Sequence, residues 1–157
     1  MAIRRFAARV VVLDPDNRVL LFHWANRKKG TSWWATPGGG LDEGERSKDA
    51  ARRELVEEAG ITVDDVEGPL WRADHFFRSE SDLVHQFETF FLARVGSDAV
   101  STEGFDAFEA DITLGHRWWP LGELESTPES VFPRGLGGLV RDVLRDGVPD
   151  KAIAIKG

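Results

Sequence analysis

Three glutamates, Glu54, Glu57 and Glu58, fall at i, i+3 and i+4 within residues 39–61, GGLDEGERSKDAARRELVEEAGI. On a helix they share one face. Like charges at that spacing repel by roughly 0.2–0.5 kcal/mol per pair. A helix that stacks them without a matching lysine face is built to receive cations, or a phosphate that arrives with cations. Mg²⁺ and Mn²⁺ prefer such all-oxygen donor sets. Glu45 precedes the helix and can turn toward its acidic face. Gly38, Gly39 and Gly40 read as a loop whose backbone can approach a ligand closely. Arg53 has two roles open to it: locking a glutamate in place, or contacting phosphate. An ion at such a site neutralises phosphate charge and acidifies a bound water. A spare carboxylate can then orient or deprotonate that water. In-line attack on phosphorus would split a phosphoanhydride bond, with the protein supplying position and charge.

The flanking sequence supplies the elements that must hold this cluster. Residues 47–59 form the clearest helix, with Ala50, Ala51 and Leu55 as its buried stripe. Asp49 stands at i−4 to Arg53, and Gly60 sits where a C-capping glycine belongs. Phe6–Leu13 and Val19–Phe22 are β-branched and apolar around an Asp-Pro-Asp-Asn turn, which reads as a hairpin. Arg27, Lys28 and Lys29 form a basic loop, and Trp33–Thr36 a short strand. A brief strand is expected at 63–65, longer ones at 69–77 and 85–95, and a short one at 117–119. The stretch 96–113 reads as irregular and acidic. A helical turn is expected at 120–124 and an amphipathic helix at 134–146, with a loosely held tail from Gly147. Mixed strands and helices indicate an α/β or α+β layered domain.

At 157 residues the chain suits one domain spanning 1–157. Hydrophobic residues make up 41% and charged residues 30%, an ordinary globular balance. No apolar run reaches the ~20 residues that span a bilayer. Arg9 interrupts the N-terminal apolar run, which argues for a strand over a signal peptide. There are no cysteines, so thiolate metal sites, disulfides and cysteine nucleophiles are excluded. A cytoplasmic location is the expectation. The net charge of −7 argues against a sequence-blind grip on a nucleic-acid polymer. It allows small phosphates bridged by divalent ions. Trp24, Trp33, Phe76 and Phe77 are candidates for stacking on a base, against core packing as the commoner fate.

The segment from Gly39 to Ile61 closely resembles the Nudix box. Gly39, Glu45, Arg53, Glu54, Leu55, Glu57, Glu58, Gly60 and Ile61 occupy every specified position. Trp34-x-x-Pro37-Gly38-Gly39 resembles the family's lead-in, and Arg117-Trp118-Trp119-Pro120-Leu121 its late strand and turn, so the likeness spans about residues 3–145. The resemblance implies an α/β/α sandwich around a mixed β-sheet. It also implies Mg²⁺- or Mn²⁺-dependent hydrolysis of a nucleoside diphosphate linked to another group. It places metal on Glu54, Glu57 and Glu58 with Glu45 assisting, and makes a homodimer a common arrangement. The general base varies in the family. Glu54 and Glu57 are candidates within the box, Glu103 and Glu109 on the acidic loop. Phe77 stands where the ADP-ribose branch carries a proline, and the chain has no tyrosine for the diadenosine polyphosphate mark. The alternative of a different class is a nucleotide-sensing module without turnover.

Overall fold

The computed structural model describes residues 2–97 and 100–157. Its elements in chain order are β1 (Ile3–Leu13), β2 (Val19–Asn26), β3 (Thr31–Ala35), β4 (Gly38–Gly40), α1 (Ser47–Ala59), β5 (Glu67–Ser79) and β6 (Asp82–Arg94). They continue as α2 (Ala107–Ile112), β7 (Thr113–Trp119), α3 (Leu121–Ser126), β8 (Val131–Phe132), α4 (Leu136–Asp146) and β9 (Ile153–Ala154). The strands form a mixed sheet in the order β8-β3-β2-β1-β6-β5-β9, with β4 also on β1 and β7 also on β2. Central β1 and β6 run parallel from Ile3↔Val84 to Leu13↔Arg94.

Alternation along β1 sends its side chains to two cores. Ala8, Val10 and Val12 meet Ala50, Ala51 and Leu55 of α1, together with Phe22 and Phe91. Val11 and Leu13 meet Trp71, Phe90 and Trp119, under Leu124 of α3 and Leu136, Val140 and Val143 of α4. Helices therefore cover both faces of the sheet, the sandwich expected from the resemblance. Trp118 and Trp119 divide accordingly, one to each face. Among the described residues no helix is long and apolar enough to cross a membrane.

Four local expectations are corrected. The three glycines are a strand and not a loop. β1 touches β2 in register only at Leu13↔Val19, and β4 occupies the rest of that edge through Ala7↔Gly40, Ala8↔Gly39 and Arg9↔Gly38. No strand forms at 63–65. Part of the irregular acidic stretch is α2, closed by a capping box in which Asp106 accepts from the Glu109 N–H and Glu109 accepts from the Asp106 N–H. Finally, the tail is held. Ile153 and Ala154 pair parallel with Trp71 and Arg72, the Ile155 N–H donates to the Arg72 carbonyl at 2.9 Å, and the Ile155 side chain packs on the α4-side core.

Candidate functional site

Helix α1 begins and ends where its sequence dictates. Its apolar stripe locks onto β1, and Gly60 closes it in the left-handed conformation at φ 66°, donating to the Leu55 and Val56 carbonyls. A Cβ on Gly60 would come within 2.8 Å of Ser101 Cβ, and one on Gly104 would strike the Glu57 backbone. The 101–105 turn therefore lies tight against the end of α1 and leads directly into α2. Arg27 fastens the other end of α2 by donating to the Asp111 carbonyl at 3.0 and 3.2 Å. The acidic loop is thereby brought to the acidic helix.

Strand β4 is the floor beneath the glutamates. A Cβ on Gly38 would collide with the Ala8 carbonyl. A Cβ on Gly39 would fall 2.6–2.9 Å from the Glu54 carboxylate. These two glycines permit close approach, to β1 on one side and to Glu54 on the other. The Gly38 N–H donates to Glu58 Oε1 at 3.3 Å.

Arg53 stands at the centre of the cluster. Its Nε and Nη2 donate to the two oxygens of Glu45, both at 2.9 Å. Nη2 also donates to the Gly40 carbonyl at 3.0 Å. Nη1 reaches Glu54 at 3.0 Å and both oxygens of Glu57 at 3.3 Å. Arg53 thus takes the locking role left open by the sequence, and the expected Asp49–Arg53 pair does not form. Asp49 instead receives Arg46 at 3.2 Å. Glu45, expected to assist the metal, has both oxygens on Arg53. That pairing holds the Glu45 carboxyl below its usual range.

Glu58 is only 3% exposed. Burial pushes its carboxyl up to about 9, opposed by the Arg9 charge and reinforced by the charges of Glu54 and Glu109. Burial likewise raises Glu109, offset by its hydrogen bond from the Asp106 N–H and reinforced by Asp106, Glu54 and Glu57. Among the loop candidates the fold brings Glu109 into the cluster. Glu103 is exposed on the preceding turn.

This arrangement passes a chemical test for a hard divalent cation. The donors are all carboxylate oxygens, one of them buried at the cost of holding a proton far above its normal range. Among the described residues no three acidic or histidine side chains already form an ion cage. Arg53 draws Glu54 and Glu57 to itself.

Beside the cluster, across β4, lies a cavity of about 380 Å³. Arg9 joins the two. Its Nε donates to Glu88 Oε2 at 2.8 Å in the cavity, and its Nη1 to the Gly38 carbonyl at 3.2 Å. Trp33, Phe132 and Arg134 line the cavity, as do His75 and Gln86. Of the four stacking candidates Trp33 alone lines it. Trp24 packs with Phe22 and Phe105, Phe76 stacks on His85 at 4.0 Å, and Phe77 lies near Arg5. Sequence reasoning missed Arg9, Gln86 and Glu88 as site residues. The usable signal was a charge inside the apolar run of β1, and Gln86 and Glu88 at i, i+2, in alternation between Val84 and Phe90 on β6.

The sequence model of the family described as NUDIX domain matches residues 3–136. The chain is 32% identical over 154 residues to an RNA pyrophosphohydrolase of Teredinibacter turnerae, covering 89% of this chain and 88% of the relative. It is 31% identical to the RNA pyrophosphohydrolase of Caulobacter vibrioides strain NA1000, covering 79% and 74%. A Mutator MutT crystal structure from Bacillus halodurans shares the fold with a TM-score of 0.66 at 22% identity, over 97% of this chain and 88% of that one.

Proposed function

The chain belongs to the Nudix family of pyrophosphohydrolases, and from that premise we propose the site's substrate and the role of each residue. The substrate is a nucleoside 5′-polyphosphate, free or at the head of an RNA chain. The phosphoanhydride sits over Glu54, Glu57 and Glu58, and the nucleoside enters the cavity beyond Arg9. The relatives named RNA pyrophosphohydrolases support the RNA-borne form. A net charge of −7 disfavours a long backbone grip, but recognition of a terminal phosphate group needs none.

Glu54, Glu57 and Glu58 would hold Mg²⁺ or Mn²⁺. Bound there, such an ion would neutralise phosphate charge and acidify water. Glu58 would have to give up its proton to serve, since a carboxylate ligates and a carboxylic acid does so poorly. Glu109 takes the proton of the attacking water. Its raised affinity for protons brings it nearer the working pH, where a general base is most effective. Water adds to phosphorus, the bond from phosphorus to the leaving phosphate oxygen breaks, and the proton resides on the Glu109 carboxylate. Arg53 holds the glutamates in position. Gly38–Gly40 form the floor of the site, and Arg9 links it to the nucleoside cavity.

The observation that carries this reading is Glu58, a carboxyl buried among other carboxylates on a glycine floor that leaves no room for a side chain. The intact cluster favours turnover over mere sensing. A panel of nucleoside di- and triphosphates, dinucleoside polyphosphates, sugar-linked diphosphates and 5′-triphosphorylated oligoribonucleotides tests it, with wild type and Glu57→Gln side by side. Wild type should release phosphate, pyrophosphate or a monophosphate from one class, and Glu57→Gln should lose that release at an unchanged Tm. Equal rates in both proteins would overturn the assignment.

A further inference from the structure

We propose that the cavity selects a guanine-type base, one that presents an acceptor and two adjacent N–H donors, through Arg9, Glu88 and Gln86. The inference rests on reading the cavity as the nucleoside site. Glu88 and Gln86 are each only 8% exposed, yet both line the cavity. Glu88 Oε2 is already engaged, accepting from Arg9 Nε at 2.8 Å and Gln86 Nε2 at 3.4 Å. Glu88 Oε1 faces His75 Nδ1 at 3.6 Å, beyond hydrogen-bonding reach. That nitrogen is buried and has no hydrogen-bond partner. The floor therefore holds one buried nitrogen without a hydrogen bond, His75 Nδ1, which in a folded protein calls for a ligand or a functional reason.

The pattern of unused groups has a direction. An ionised carboxylate only accepts, so Glu88 Oε1 offers a ligand an acceptor. Gln86 gives one amide N–H to Glu88 and keeps the other together with its carbonyl oxygen, which is open to serve a ligand as a second acceptor. Arg9 spends Nε on Glu88 and Nη1 on the Gly38 carbonyl, and its remaining N–H groups are donors. With the Gln86 carbonyl facing the ligand, Arg9, Glu88 and Gln86 present donor, acceptor, acceptor, the order in which cytosine meets guanine O6, N1–H and N2–H. Adenine would set the lone pair of N1 against the Glu88 carboxylate. Hypoxanthine would satisfy Arg9 and Glu88 but leave Gln86 unmatched. Trp33 and Phe132 supply the apolar wall on which any base can stack, so stacking gives affinity and the polar floor gives choice.

Nucleoside monophosphates test this without hydrolysis, because they hold no scissile anhydride. Binding of GMP, IMP and AMP is measured by calorimetry on wild type, Glu88→Gln and Gln86→Leu, with Tm recorded for each. Wild type should bind GMP about tenfold or more tighter than AMP, with IMP between, the discrimination typical of a matched polar edge. Glu88→Gln, which can present an amide donor where the carboxylate accepts, should shrink or invert the GMP-to-AMP ratio. Gln86→Leu keeps the Arg9–Glu88 pair and should erase the gap between GMP and IMP alone. A merely structural role for Glu88 would weaken all three ligands equally and leave the ratios unmoved. Equal wild-type affinities, equal losses in Glu88→Gln, or no binding by any monophosphate would each overturn the proposal. Hydrolysis without base preference sinks this inference and spares the enzymatic reading. Selective GMP binding with no turnover of any substrate does the reverse.

Discussion

Replacing Gly39 by alanine isolates the part that β4 plays in aiming Glu54. The new Cβ would lie 2.6 Å from the Glu54 carboxylate, and ordinary contact begins at 3.4 Å. The two groups must therefore separate by about 0.8 Å, and the more compliant partner is the end of the glutamate side chain. Gly39 is not among the glycines of positive φ, so alanine is not strained there by backbone conformation. Stability should fall by no more than about 1 kcal/mol, since the carboxylate is the end of a flexible side chain and can move. Catalysis should fall much further. A misplacement near 1 Å at a positioned group costs on the order of 10²-fold in rate. Gly40→Ala is the matched control, because its Cβ would meet nothing closer than 3.9 Å. Steady-state kinetics on the best substrate and thermal melts of both variants read the two effects apart. A Gly39→Ala protein with wild-type kcat and wild-type Mg²⁺ dependence would refute the view that Glu54 must occupy its observed position.

Three further outcomes are expected. Glu58 carries its proton up to about 9 in the folded chain, against 4.5 as its ordinary value. Its stabilising contribution is therefore complete below about 4.5, declines above that and is lost as pH rises through 9. Melts in EDTA should show Tm falling from pH 6 to pH 9, and Mg²⁺ should raise Tm most at the alkaline end, where it no longer competes with the proton. A Mg²⁺ effect matched by ionic strength alone would contradict this. Glu109→Gln should lower kcat by about 10²-fold or more with the fold intact, while Glu103→Gln leaves kcat unchanged; equal effects would remove Glu109 from its role. Leu55→Ala should cost about 2–5 kcal/mol, because Leu55 is fully buried between α1 and β1. Urea unfolding measures it, and a loss below 1 kcal/mol would mean α1 does not depend on that contact.

Helix α1 was legible because every local signal agreed. The Ala50, Ala51 and Leu55 stripe, the glutamate spacing and the terminal Gly60 all demanded one helix over the same residues. The hidden parts depend on distant partners. Three consecutive glycines carry no side-chain pattern, and β4 exists because β1 offers an unpaired edge above Leu13. β9 is two residues long and owes its form to the exposed edge of β5. Helix α2 was readable in principle, since Asp106 and Glu109 stand at capping-box spacing, but six residues are too few for a periodic signal. The Asp49–Arg53 expectation failed for an energetic reason. A single exposed i,i+4 pair contributes a few tenths of a kcal/mol, and Arg53 finds four carboxylates, those of Asp42, Glu45, Glu54 and Glu57, and a carbonyl elsewhere. Arg9 drew notice only as an interruption, and its purpose requires knowing that Gly38 and Glu88 flank it in space.

The two ends of the Arg53 guanidinium are not equivalent, and that asymmetry explains how a clamped cluster can still serve ions. Toward Glu45 it makes two parallel bonds of 2.9 Å, the fork geometry in which arginine binds carboxylate best, with a third bond to the Gly40 carbonyl. Toward Glu57 both contacts are 3.3 Å from a single nitrogen, and Glu57 is half-exposed. A divalent cation held by Glu54 and Glu57 would have to compete with Nη1, the weaker side, and would leave the anchor on Glu45 in place. Arg53 would then keep its position and its charge beside the ion, available to a phosphate oxygen. Without Arg53, the carboxylates of Glu45, Glu54 and Glu57, beside a protonated Glu58, would repel one another whenever no cation was bound. With it, they stay assembled in the cation-free chain, and Glu45 acts through the arginine it fixes.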